Sequence, residues 1–205
     1  DFGATIYDWT NMTNTISTSS PSDVKTAVAT LMYHCGVSVE MDYGTGGSGA
    51  VSSKVPAALI EHFRYSPSAS FESRSSYSDE DWKALLKSEL DEARPLYYSG
   101  NNPSSGHAFV CDGYRDDDYF HFNWGWSGSK DGYFLMDHLN PGSGGSGSGA
   151  GTYNLSNAII AHLEPLSSMS APVVSSTAGQ TSISITWNQI EGAENYDLYK
   201  DNVKI

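Results

Sequence analysis

The sequence predicts an α+β fold, with helices gathered in its first half and an antiparallel sheet in its second. Three observations carry this. Apolar residues recur at helical spacing in three segments before residue 92. From Arg94 onward the period shortens to two. The runs "RDDD" and "GSKDG" then separate neighbouring strands by turns short enough to force antiparallel pairing. Helices first and a run of strands afterwards define the class.

The first helix is expected over 22–35, where Val24, Ala27, Val28, Leu31, Met32 and Cys35 share a face. Ser22 can cap its start and Gly36 can end it. "MDYGTGGSGAVSS" follows as a glycine-rich loop. The second helix is expected over 54–65, with Val55, Ala58, Leu59, His62 and Phe63 on one side. Pro56 falls in its first turn, where a missing N–H costs nothing. The third starts at Ser78, with Asp81 as a capping-box-like partner, and turns Trp82, Leu85, Leu86 and Leu90 inward. "RPLYYSG", "HAFVCDGY", "YFHFNWGW", "GYFLMDHL" and "NAIIAHLEP" read as strands. Between the last two lies the long segment "NPGSGGSGSGAGTYN", a flexible loop of the kind that often carries function.

The first domain closes near Pro165, where "PLSSMSAPVV" has the composition of a linker. Residues 166–205 alternate in short strands and resemble the opening of a fibronectin type III module. About 40 residues cannot close a sandwich of about 100. The tail is therefore expected either to be a truncated piece of one or to pack elsewhere.

Composition narrows the function. Thirteen Tyr and five Trp oppose disorder. The formal net charge of −13 opposes a nucleic-acid partner, because phosphate contacts need clustered Lys and Arg. It fits a protein that stays soluble outside cells. No apolar run approaches the roughly 18 residues of a membrane helix, and no signal peptide is visible. The opening "DFGATIYDW" reads as the middle of a domain. Two cysteines, Cys35 and Cys111, make neither a disulfide framework nor a zinc pattern, so no metal and no cofactor are expected.

One stretch concentrates chemistry: "GHAFVCDGYRDDDYFHFNWGW", residues 106–126. His107 follows a glycine at the mouth of a strand, where an imidazole can serve as general base. A base works best when a third group fixes its tautomer. If the hairpin turns near Arg115–Asp116, the cross-strand partner of His107 lies near Asn123, which makes Asn123 a candidate orienter. Trp124 would then shield that bond from water. His121 shares a face with Asn123 and reads as structural, and "RDDD" reads as a solvated turn rather than a calcium loop.

"YDWTNM", "LMYHCGVSVEMDYGTGGSGA", "DWKALLKSELDEARPLYYSG" and the run from Gly106 to Pro165 resemble, in order, the streptopain family of secreted bacterial cysteine peptidases, peptidase family C10. The resemblance implies a papain-like fold, incomplete here at its N-terminus, with residues 1–165 as the C-terminal part of the catalytic domain. It implies that His107 is the catalytic histidine, with Asn123 and Trp124 beside it in the family's Asn-Trp-Gly-Trp motif. It also places Ser48, Gly49, Ser99 and Gly106 along a cleft for protein or peptide substrates. A glutamine is common at the position of Ser99.

Papain-like chemistry needs a thiol beside the imidazole. Cys111 lies four strand residues from His107, about 13 Å away. Cys35 lies at a helix C-terminus, whose dipole opposes a thiolate. Both read as core. The resemblance implies that the nucleophile comes from a segment upstream of "YDWTNM", lost by internal cleavage or by truncation. Two other readings stay open: a degenerate relative that binds without cutting, and a transglutaminase-like acyl transferase, which would want Asp where this chain has Asn123.

Overall fold

The computed structural model describes residues 5–142, 151–166, 172–179, 182–188, 196–200 and 203–204. The chain divides into two compact units, Asp1–Pro165 and Leu166–Ile205.

The first unit opens with α1, Ser22–Ser38. Pro21 rather than Ser22 occupies the N-cap position, without a side-chain bond. The helix runs through Gly36 instead of ending there. Its end is a Schellman motif: Met41 N–H reaches the Gly36 carbonyl and Glu40 N–H the Val37 carbonyl, with Glu40 left-handed at φ 54°. Gly36 serves packing instead, since a Cβ there would lie 1.8 Å from the Tyr43 hydroxyl. Tyr43 belongs to a short hairpin, β1 (Asp42–Gly44) and β2 (Gly47–Gly49), within the segment read from sequence as loop. The second helix, α2, spans Val55–Phe63 with Pro56 in its first turn, and Arg64 ends it at φ 58°. Strand β3 is Ser70–Ser73. The third helix, α3, spans Asp79–Asp91, and its N-cap Ser78 accepts the Asp81 N–H as the sequence indicated.

The strands β4 (Leu96–Asn101), β5 (Gly106–Tyr114), β6 (Phe120–Asn123), β7 (Gly132–Phe134) and β8 (Leu155–Ala161) join β3 in one antiparallel six-stranded sheet. Its order is β3-β8-β4-β5-β6-β7, so the last strand in sequence lies between the first and second. β7 is shorter than its apolar pattern suggested: Met136 and Leu139 are buried beyond its end, in non-strand backbone.

Alternation divides the sheet into two faces. Leu96, Tyr98, Phe109, Cys111, Phe120, Phe122 and Ile159 point to one, where Trp82 and Leu86 of α3 complete a fully enclosed core. Leu85 and Leu90 pack at its margin. Glu89 is buried beside it, its carboxylate accepting from Arg94 Nε at 2.8 Å and from the His162 N–H at 3.0 Å. The opposite face carries Phe71, Tyr97, Ser99, Ala108 and Val110, and Phe71 and Val110 are exposed.

In the second unit, β9 (Val174–Ala178) and β10 (Ile183–Trp187) form an antiparallel ribbon, and β11 (Tyr199–Lys200) pairs with β12 (Val203–Lys204). Every residue of β9 and β10 is exposed. The Trp187 and Tyr196 rings lie 5.6 Å apart.

Candidate active site

The imidazole of His107 sits at the start of β5, where the enclosed face of the sheet reaches its rim. Its strand neighbour on β4 is Gly100. A Cβ on Gly100 would come within 2.3 Å of the Tyr153 carbonyl oxygen and 2.6 Å of Asn157 Nδ2. Only a glycine lets the segment after the long loop close down behind the histidine.

The ring is fixed on several sides. Its Nε2 lies 2.8 Å from the main-chain carbonyl oxygen of Trp124. A carbonyl can only accept, so Nε2 carries the proton and Nδ1 is left as the lone-pair nitrogen of the neutral ring. Trp126 stacks against the imidazole at 5.1 Å, Tyr153 lies at 5.6 Å, and the Trp124 ring is nearly parallel to it at 6.4 Å. Trp124 is fully buried.

Asn123 is not where the hairpin arithmetic put it. It pairs with Val110, three residues along β5 from His107. The turn centres nearer Asp117, closed by Arg115 N–H to the Tyr119 carbonyl, and the register shifts between Cys111 and Gly113. An odd offset puts Asn123 on the face opposite the imidazole. Its Oδ1 accepts the Gly125 N–H at 2.9 Å. The orienting acceptor of His107 is thus a main-chain carbonyl. The Asn123 side chain instead holds the far side of that same peptide unit.

A groove of about 1330 Å³ runs between α1, the β1–β2 hairpin, α2 and the open face of the sheet. His107, Gly106, Ser99, Ser48 and Gly49 all line it. The five residues come from three separated stretches of sequence, and the fold brings them to one groove. Tyr97 stands between them, its hydroxyl 2.9 Å from Ser52 Oγ, and desolvation raises its pKa. Among the described residues, no Asp, Glu, Lys or Arg lines the groove.

Neither thiol partners the imidazole. Cys111 is fully buried opposite Leu96 and Phe122, and burial pushes its pKa up to about 12. Cys35 lines the groove from α1, and partial burial raises its pKa as well. Among the described residues neither sulfur is hydrogen-bonded to His107, and no group of three His, Cys, Asp or Glu side chains is placed to hold a metal ion. His121 bonds Asp112 through Nδ1 at 2.5 Å across the β5–β6 pair. Asp118 of the "RDDD" turn bonds Lys83 and Lys87 of α3, and these two lysines hold its carboxyl below the usual range.

The sequence reading missed Tyr153, Trp126 and Asp131. Trp126 was visible as the second tryptophan of "NWGW". Tyr153 lies 46 residues beyond His107, and nothing local announces it. Asp131 accepts the Trp124 N–H at 2.9 Å.

The profile of the Peptidase C10 family matches residues 1–134. The chain belongs to that family. This member of the C10 family is 40% identical over 212 residues to the thiol protease/hemagglutinin PrtT of Porphyromonas gingivalis, a match covering all of this chain and 24% of PrtT. It is 41% identical over 159 residues to streptopain of Streptococcus pyogenes, covering 78% of this chain and 40% of streptopain. Active wild-type interpain A of Prevotella intermedia, a cysteine protease, superposes with a TM-score of 0.68 at 39% identity over 78% of this chain and 65% of that one. The chain therefore has a papain-like α+β fold, and it spans less than half the length of PrtT and of streptopain.

Proposed function

We propose that this chain is the histidine-bearing part of a secreted bacterial cysteine endopeptidase that hydrolyses peptide bonds. The observation that carries the reading is the Nε2–H of His107 held by the Trp124 carbonyl at 2.8 Å on the rim of an uncharged groove. That arrangement leaves Nδ1 to take a proton from a thiol. The resulting thiolate attacks the scissile carbonyl carbon, and the imidazolium returns the proton to the leaving amine. A thioester remains on the enzyme, and water, deprotonated by the same nitrogen, releases the acid and the thiol.

In this reading Trp124 supplies the acceptor and covers it, and Asn123 steadies the peptide that bears it. Ser48, Gly49, Ser99 and Gly106 hold the substrate main chain. The nucleophile comes from a segment of the parent polypeptide preceding residue 1. Two observations support such a segment. Interpain A has about a third of its chain outside the match, and Met32, Tyr33, Tyr43, Val51 and Phe71 line the groove while exposed. Apolar surface of that extent marks a contact site. Residues 1–165 are then the C-terminal part of the catalytic domain, and 166–205 the start of a fibronectin type III-like module.

The test joins this chain to its nucleophile-bearing segment and follows cleavage of a fluorogenic peptide. His107→Ala should abolish turnover while the protein stays folded; retained turnover sinks the assignment. A second reading, a non-cleaving attachment protein of the same fold, draws on the match to PrtT through the whole tail. A parent polypeptide without a cysteine upstream would favour it.

A further inference from the structure

We infer that Asp131 is a positioning residue for the His107 imidazole and acts through the main chain of Trp124. The inference rests on the reading of His107 as the base. Both groups that fix the ring most closely, the Trp124 carbonyl and the Trp126 indole, belong to one segment, residues 124–130. No strand holds this segment, because β6 ends at Asn123 and β7 begins at Gly132. Its backbone turns left-handed four times, at Gly125 (φ 72°), Ser127 (55°), Gly128 (79°) and Lys130 (71°). Ser127 and Lys130 carry a Cβ and disfavour that region, so the segment needs outside restraint to keep its shape.

Three bonds provide it. Ser129 N–H reaches the Trp126 carbonyl at 3.0 Å. Gly125 N–H reaches Asn123 Oδ1 at 2.9 Å. Trp124 N–H reaches Asp131 Oδ1 at 2.9 Å. The first two are local. Among the described contacts, the Asp131 bond ties the start of the segment to its end, and its acceptor is a carboxylate, which strengthens it. Trp124 thus donates its N–H to Asp131 while its carbonyl accepts from the imidazole. The Asp131 bond holds the peptide before Trp124, and the Asn123 bond to the Gly125 N–H holds the peptide that bears the carbonyl, so the residue is fixed from both sides. Without the Asp131 bond, the Asn123 bond is left to hold the carbonyl toward His107, and the turn that carries Trp126 loses its tie to Asp131.

The experiment uses the complete peptidase, this chain joined to its nucleophile-bearing segment, with rates normalised to folded protein. Asp131→Ala should lower kcat about 100-fold, the scale of a misplaced catalytic group, and leave KM within about twofold. Asp131→Asn keeps the oxygen acceptor without the charge and should restore kcat to within a few-fold. Asp131→Glu keeps the charge but misplaces the oxygen, so it should lose kcat and covers the case in which the alanine variant does not fold. Parental kcat in Asp131→Ala or Asp131→Glu overturns the inference. An asparagine variant as slow as the alanine one also overturns it, because charge rather than placement would then be at work. His107→Ala run in parallel separates the two claims. If that variant still cleaves, the reading of His107 fails. If it is dead while Asp131→Ala keeps parental kcat, only the role of Asp131 falls.

Discussion

The two faces of the six-stranded sheet are built from the same strands and have opposite fates. One is sealed: Trp82, Leu86, Tyr98, Phe120 and Phe122 are buried to within 2%. The other is left half-open, with Phe71 and Val110 each 40% exposed. Burial is concentrated on the first face, and solvent reaches the second. The imidazole belongs to the sealed face by side and to the open groove by position, because it sits where that face ends.

Substitutions can break this contrast or sharpen it. The largest loss of stability is expected on the sealed face. Trp82→Ala should cost about 3–5 kcal/mol in denaturant unfolding, since an enclosed indole leaves a cavity. Next comes Glu89→Gln, which leaves Arg94 with a weakened acceptor beside a buried amide and should cost about 2–4 kcal/mol. Burial alone would raise the Glu89 pKa, but the bonds from Arg94 and the His162 N–H outweigh it and hold the carboxyl below its ordinary value. A depressed carboxyl stabilises the fold above its unfolded pKa, about 4.3, and that contribution disappears as pH falls through the folded value. Stability measured from pH 7 to 3 should therefore decline in the parent and decline less steeply in Glu89→Gln; parallel curves would remove Glu89 from the acid response.

Gly100→Ala should cost about 1–3 kcal/mol and slow peptide turnover as well, because the added methyl strikes the Tyr153 carbonyl behind the histidine. Unfolding and kcat measured together decide it. The smallest effect is expected on the open face, where Phe71→Ser should stay within about 0.5 kcal/mol. A loss there as large as at Trp82 would show that the face is covered. Thiol labelling sharpens the same contrast: Cys35, in the groove wall, should react in the folded protein, whereas Cys111 should wait for unfolding.

Sequence periodicity exposed much of the sealed face and little of the open one. Ser78 with Asp81, the inward row on α3 and the alternation of β4, β5 and β6 were legible because each is a local pattern backed by burial. β3 and the β1–β2 hairpin were not, since the hairpin is exposed throughout and β3 carries a single apolar residue, Phe71, leaving no alternation to read. Gly36 looked like a terminator, but the residue that ends α1 is a left-handed glutamate. His107 was legible through its motif. Its true acceptor was not, because a bulge between Cys111 and Gly113 shifts the pairing and a backbone carbonyl has no sequence signature.

The place of β8 sets an order of events. It pairs with β3 on one side and β4 on the other, although 53 residues separate Asn101 from Leu155. While the chain emerges from N- to C-terminus, the slot between those two strands stays empty until Leu155–Ala161 has been made. Before then the β4–β5 pair that carries His107 presents an unpaired edge, open to any other strand. Closing it requires contacts distant in sequence, which form slowly. Tyr153, whose ring packs beside His107, and Asn157, which bonds the Tyr153 carbonyl, therefore join the β4–β5 pair only after most of this unit has been made.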